Sequence, residues 1–254
     1  VYKRQKHTYP SVEFSELIGE CDSFLQTKNR AIQFAASSHP ILIHGETGTG
    51  KELFAKAIHS GSSFKHDPFT HVSCSTLNED DAAEDFFLSE MNESGTLFLD
   101  EVWGLSLPLQ GKLLAAIEKG MPKRLIATSS VPLGERIENS EFRKDLYYRL
   151  NVLDLPLPPL AERRSDIPLL VHHFVKSGDH DIYVEPVVWK ALEQHEFEGN
   201  VRELKNMTDY MKTVSDGKTI QLYDTPPALR EQIEKKKPKD KKTAATCLLY
   251  TSDA

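Results

Sequence analysis

Apolar positions fall into two regimes along the chain. Up to about residue 155, short and wholly apolar runs recur between stretches with helical spacing; beyond residue 160 only the helical spacing continues. The runs Ile41-Leu42-Ile43, Leu97-Phe98-Leu99 and Leu125-Ile126-Ala127 show no polar alternation, which suits strands buried on both faces of a parallel sheet. Residues 69–75, with Thr70, Val72 and Ser73, and residues 152–155, closed by Pro156, Pro158 and Pro159, read as two more strands. Between them lie helical stretches. Phe24, Leu25, Ile32, Phe34 and Ala35 give the first an imperfect apolar face, ended by Ser37-Ser38-His39-Pro40. A second leaves a glycine-rich turn and runs to about Ser60. A third covers 107–119, with Leu109, Leu113, Leu114 and Ile117 at core spacing, and a charged one covers 141–150. Residues 78–93, acidic around Phe86-Phe87-Leu88, read as a solvated helix with one apolar face. Alternating strands and helices predict an α/β, three-layer domain around a parallel sheet over residues 11–159.

The second regime predicts a small all-α appendage over residues 160–223. Ser165 is placed to cap a helix over 166–176, with Pro168 tolerated in its first turn. Another helix covers 187–195. Asn200-Val201-Arg202-Glu203 resembles a capping box, with Asn in place of Ser or Thr, and opens a third helix to about Val214. From 224 to 254, Pro226-Pro227 and the lysine-rich run from Lys235 to Lys242 read as a basic linker and a non-native tail. Residues 1–10 read as a non-native or disordered lead, since Val1-Tyr2-Lys3-Arg4-Gln5 and the stretch from Cys247 to Ala254 look like sequencing-adapter read-through.

Composition narrows the class. No window approaches the ~18 apolar residues of a membrane span, and no signal-peptide core is present. Cys21, Cys74 and Cys247 lie far apart without metal spacing, which suits a reducing cytoplasm. A formal charge of −7 argues against the segment as a whole being a nucleic-acid surface, so contact with DNA is expected through a domain not present in this chain.

The chemistry centres on His44-Gly45-Glu46-Thr47-Gly48-Thr49-Gly50-Lys51-Glu52. An apolar strand, a glycine-rich turn and a helix form the context that makes a phosphate loop credible, and G-x-x-x-x-G-K is met at Gly45, Gly50 and Lys51. The glycines let backbone N–H groups turn toward anionic oxygens. The helix N-terminus adds partial positive charge, and Lys51 adds a full one. The usual hydroxyl residue after the lysine is replaced by Glu52. About fifty residues on, Gly95-Thr96-Leu97-Phe98-Leu99-Asp100-Glu101 brings two carboxylates to the carboxyl end of a buried strand, where ligands of parallel sheets sit. Asp100 is placed to hold Mg²⁺ and Glu101 to polarise the attacking water in hydrolysis.

These blocks, with Phe142-Arg143-Lys144-Asp145-Leu146-Tyr147-Tyr148-Arg149 and Gly199-Asn200-Val201-Arg202-Glu203-Leu204, resemble the AAA+ domain of NtrC-type bacterial enhancer-binding proteins, the sigma-54-interacting activators. The resemblance covers about residues 14–223, and in that family a glutamate normally follows the loop lysine. It implies an AAA+ fold with an α-helical lid, and ATP held by the loop and Lys51. It also implies a Walker B pair at Asp100 and Glu101, and arginine fingers at Arg143 and Arg149 that act in trans in a hexameric or heptameric ring. A sensor I position at Ser129 and a sensor II arginine at Arg202 complete the set.

The departures bear on function. The family's Gly-Ala-Phe-Thr-Gly-Ala loop, which contacts sigma-54, has no counterpart between Leu77 and Gly95, and Lys119-Gly120-Met121-Pro122-Lys123 replaces a family hairpin. Ser73 and Ser129 stand where the family has asparagines, the first of which restrains the catalytic glutamate. A hydroxyl has shorter reach and fewer donors than an amide. The expectation is an ATP-dependent oligomeric module of a transcription regulator with slow hydrolysis. The alternative is a working ATPase that remodels sigma-54 RNA polymerase.

Overall fold

The computed structural model describes residues 11–77, 89, 91, 94–121, 123–176 and 182–236. The expected acidic helix over 78–93 lies outside them apart from Ser89 and Met91, as do the terminal segments 1–10 and 237–254.

Five strands, β1 (Ile41–His44), β2 (Phe69–Ser73), β3 (Gly95–Asp100), β4 (Lys123–Ser129) and β5 (Leu153–Pro156), form one sheet in the order β2-β3-β4-β1-β5. Every pairing is parallel. The apolar runs are wholly buried because both faces are covered, and successive residues serve opposite cores. Leu97, Leu99, Leu125 and Ala127 face a cluster with Leu113 of α3 (Leu107–Glu118) and with Leu146 and Leu150 of α5 (Lys144–Leu150). Phe98, Ile126, Ile41 and Ile43 face the other side, against Phe24 and Ala31 of α1 (Asp22–Ala35) and Phe54 and Ile58 of α2 (Lys51–Ser60). A short α4 (Leu133–Glu138) follows β4.

The expected apolar face of α1 is corrected. Leu25 and Ile32 are exposed, and the buried stripe is Phe24, Thr27, Ala31 and Ala35. A threonine sits in that stripe because its hydroxyl is satisfied, donating to Ser23 O and Pro156 O at 3.1 Å each.

The appendage is built on α6 (Ile167–Val175), α7 (Pro186–Gln194) and α8 (Asn200–Val214) around Leu170, Val188, Leu192, Leu204 and Met211. It is not purely helical: β6 (Tyr183–Val184) pairs in parallel with β7 (Thr219–Ile220). Where a linker was expected from residue 224, α9 (Pro227–Lys236) forms and buries Leu229 in the same core. The expected cap by Ser165 is absent. Asp166 precedes α6, and its carboxylate instead accepts the amides of Glu20 and Cys21 at 2.8 and 3.0 Å. Gly199, not Asn200, is the N-cap of α8, and Glu203 reaches back to the Gly199 amide at 2.8 Å.

His59, fully buried on α2, shares a 2.8 Å hydrogen bond with Thr96. Burial, reinforced by the Arg124 guanidinium, lowers its pKa to about 4. A histidine held neutral in the fold contributes stability above its unfolded pKa near 6.5, and that contribution is lost as pH falls toward 4. We expect wild-type stability to drop by on the order of 3 kcal/mol more than that of His59→Asn between those limits. Denaturant titrations at stepped pH check this; parallel pH profiles for the two proteins would refute it.

Candidate nucleotide site

The parallel register assembles the site. His44 pairs with Ser129 and Ser73 with Asp100, so the loop after β1 leaves the sheet beside the carboxyl ends of β3 and β4. Gly45, Gly48 and Gly50 all have positive φ. At Gly48 the need is also steric, because a Cβ there would lie 2.1 Å from Gly199 O. The amide of Gly45 is spent on Ser129 O and that of Thr49 on Glu46 O. Among the described residues, no acceptor takes the amides of Gly48, Gly50 or Lys51, so the loop presents free donors at the start of a ten-residue helix. This is the donor arrangement that phosphate oxygens need.

Lys51 is 7% exposed, and its ammonium donates to Gly45 O at 2.8 Å and Glu46 O at 3.1 Å. It also lies 3.4 Å from Glu101 Oε1. Thr49 is buried and donates to Glu46 O at 2.8 Å, while Glu52 pairs with Lys56 on the outer face of α2. Burial works against ionising Asp100, but His71, the Thr128 hydroxyl and Lys51 outweigh it and hold the carboxyl below its ordinary range. Thr128 donates to Asp100 Oδ1 at 2.7 Å, and His71 Nε2 stands 3.8 Å from Oδ2, too far for a hydrogen bond.

Glu101 has φ 54, a left-handed conformation that costs a non-glycine residue and that surrounding contacts must enforce. Its amide donates to Thr128 Oγ1 at 2.9 Å. Its Oε2 accepts three donors: Trp103 Nε1 at 2.6 Å, Ser130 N at 2.7 Å and Ser130 Oγ at 2.8 Å. Restraint of this carboxylate therefore does not come from Ser73. The Ser73 hydroxyl lies 3.4 Å from that of Ser75 and bonds to no atom of Glu101 among the described residues. Ser129 likewise turns away, donating to Val131 O at 2.6 Å, although it still lines a cavity of about 570 Å³ with Gly45, Glu46 and Ser130. Besides Lys51, the side chains that hold Glu101 are Thr128, Ser130 and Trp103, which the sequence reading missed. The only sequence signal is adjacency: Thr128 and Ser130 flank the position that was singled out.

The remaining arginines separate into two groups. Arg202 is exposed on α8, and its amide donates to Gly48 O at 3.3 Å, so it stands at the loop. Arg143 and Arg149 have no bond to the loop, Asp100 or Glu101 among the described residues. The Arg143 guanidinium forks onto Asp145 at 2.7 and 3.1 Å, which raises its pKa, and Arg149 lies 3.7 Å from Glu118. Both are exposed on α5 and the turn before it, available to a second molecule.

Comparisons with known proteins agree with this geometry. The sequence model described as Sigma-54 interaction domain matches residues 18–160, and that described as AAA+ ATPase lid domain matches residues 161–242. YplP of Bacillus subtilis (strain 168), named as a sigma L-dependent transcriptional regulator, is 45% identical over 243 residues, spanning 92% of this chain and 72% of that protein. The response regulator protein PilR of Pseudomonas aeruginosa is 34% identical across 83% of this chain, which spans 55% of PilR. Among solved structures, NtrX from Brucella abortus in complex with ATP aligns with a TM-score of 0.75 at 28% identity, over 85% of this chain and 58% of that one. RuvB of Thermotoga maritima, at 16% identity and a TM-score of 0.64 over 89% of this chain and 72% of that one, shares the fold. No helix among the described residues is long and apolar enough to cross a membrane. The chain belongs to the sigma-54 interaction domain family, an AAA+ α/β nucleotide-binding fold followed by its lid.

Proposed function

We propose that this domain binds ATP at the loop after β1 and hydrolyses it slowly at the interface of a ring of identical subunits. It acts as the cytoplasmic nucleotide module of a bacterial transcription regulator whose DNA contacts are made elsewhere. The observation that carries the reading is the convergence of a buried lysine, free loop amides and two strand-end carboxylates in one place. The ATP-bound NtrX neighbour supports the choice of nucleotide.

Each residue then has a task. The amides of Gly48, Gly50 and Lys51 and the Lys51 ammonium bind phosphate oxygens, with Gly45, Glu46, Thr47, Thr49 and Glu52 shaping the turn. Arg202 approaches the phosphates from the lid. The ionised Asp100 carboxylate fits a Mg²⁺ ligand, and the metal when bound offsets phosphate charge. Glu101 orients the attacking water. Its Oε2 already accepts three hydrogen bonds, which leaves Oε1, beside Lys51, to meet the water, and a carboxylate held this rigidly slows hydrolysis until the restraint loosens. Arg143 and Arg149 supply positive charge to a neighbouring subunit's site, a contribution on the order of 10³–10⁵ in rate.

A second reading, remodelling of sigma-54 RNA polymerase, is supported by the family model, described as Sigma-54 interaction domain. The missing Gly-Ala-Phe-Thr-Gly-Ala motif between Leu77 and Gly95 favours the first. Capture of purified sigma-54 by the chain bearing an ATP analogue separates them. No capture at analogue saturation supports the first reading, and robust analogue-dependent capture overturns it in favour of the second.

Two kinetic outcomes are expected. Turnover per subunit should rise with protein concentration and collapse in Arg143→Ala and in Arg149→Ala, while Lys51→Ala should abolish ATP binding. Concentration-independent turnover would exclude fingers in trans. Ser130→Ala, which removes one of the donors to Glu101 Oε2, should raise turnover by about tenfold, the worth of one hydrogen bond to a charged group. A fall in turnover would mean that Ser130 positions Glu101 for catalysis and does not restrain it.

A further inference from the structure

One buried side chain joins three parts of the molecule: the phosphate loop, the start of lid helix α8 and the junction between the sheet domain and the lid. Asn200 has no exposed surface and a φ of 53. Its Oδ1 accepts the amide of Leu160 at 2.7 Å, where the chain passes from the sheet domain into the lid. Its Nδ2 donates to Glu46 Oε2 at 2.9 Å and to Thr47 O at 3.1 Å, both in the phosphate loop. The partners fix which way the amide faces, since Leu160 N can only donate and Thr47 O can only accept.

The same region holds backbone contacts in parallel. Gly199 O packs against Gly48, and Arg202 N donates to Gly48 O at 3.3 Å. The N-terminus of α8 is thereby docked on the phosphate loop at Gly48. Residue choice at 200 is narrow. Left-handed φ favours Asn, Asp or Gly. An aspartate would set a second carboxylate against Glu46 and a carbonyl. A glycine would keep the backbone and lose the side-chain links.

The geometry points to Asn200 as a positioning residue that couples the conformation of the phosphate loop to the lid. A shift of Glu46 and Thr47 moves α8 and the Leu160 junction through one amide group. Loop order and lid position therefore change together, and Arg202 is carried to or from the loop as they do. This deepens the ATP-binding reading and rests on it.

The test uses the whole chain as wild type, Lys51→Ala, Asn200→Asp, Asn200→Gly, Glu46→Gln and the double variant Asn200→Asp/Glu46→Gln. Affinity for a fluorescent ATP analogue is measured alongside amide hydrogen exchange of the loop and of residues 200–206, with and without analogue. Asn200→Asp should weaken analogue binding by about tenfold or more, the cost of a charged hydrogen bond replaced by repulsion. Without analogue it should also speed exchange in the loop and at Arg202 together. Glu46→Gln alone serves as the reference for the double variant, because an amide oxygen at 46 can still accept from Asn200. In the double variant the introduced amide can donate to the new carboxylate, so both readouts should return to within about threefold of Glu46→Gln. A merely structural role for Asn200 would show no such rescue. Asn200→Gly should unlink loop and lid exchange without the repulsion.

The coupling is overturned if Asn200→Asp folds and behaves as wild type, or if the double variant is no better than Asn200→Asp. Equal analogue binding by wild type and Lys51→Ala would instead defeat the ATP-binding reading. The linked exchange of loop and Arg202 in the nucleotide-free chain would still decide the coupling.

Discussion

An ammonium group taken almost wholly out of water has to be met by oxygen atoms, and at Lys51 that requirement organises the surrounding chain. Two of the oxygens are carbonyls of its own loop, Gly45 and Glu46, so the loop must curl back over the first turn of α2. That curl is what forces positive φ at Gly45, Gly48 and Gly50. The third is Glu101, which reaches Lys51 because Asp100 and Glu101 leave β3 two strands away from β1, with β4 between them. The intervening strand is not passive. Thr128 links Asp100 to the Glu101 amide, and Ser130 fixes the far oxygen of Glu101. Charge, loop shape and strand order are therefore one constraint seen from three sides.

The parts of this arrangement that could be read from the sequence are those set by local rules. A wholly apolar run such as Leu97-Phe98-Leu99 has one economical solution, a strand with a core on each face, and the two clusters confirm the alternation. The glycine spacing before Lys51 has a similarly narrow set of backbones. Long-range choices were not legible. Nothing in Thr128-Ser129-Ser130 says which hydroxyl will face Glu101. Pleating decides it: Ser129 ends β4 in register with His44 and turns to Val131, while Ser130, one step on, points at the carboxylate. The lid misreadings share a cause. Ser165 and Asn200 were read as caps by spacing, yet the residue before α6 is Asp166, held by Glu20 and Cys21, and Asn200 is held by Leu160 and the phosphate loop.

The segment expected as a linker from residue 224 shows the limit from the other direction. Proline and charge argue for a solvated linker, but α9 carries Leu229 near its start, fully buried in the lid core. Burying such a side chain is worth roughly 1.5–3 kcal/mol, more than the propensity differences that would otherwise leave the segment extended.

Arg143, just before α5, and Arg149, on it, complete the physical picture because neither bonds to the loop. Arg143 satisfies its charge on Asp145 in the same chain, in an exposed fork open to salt screening. Lys51 is the opposite case, buried and met on several sides, and cannot leave. The domain thus places a fixed charge inside each subunit and movable charges on its surface. In the function proposed, the movable half of the site is carried by a neighbour, and such an arrangement would link hydrolysis to oligomeric state by geometry.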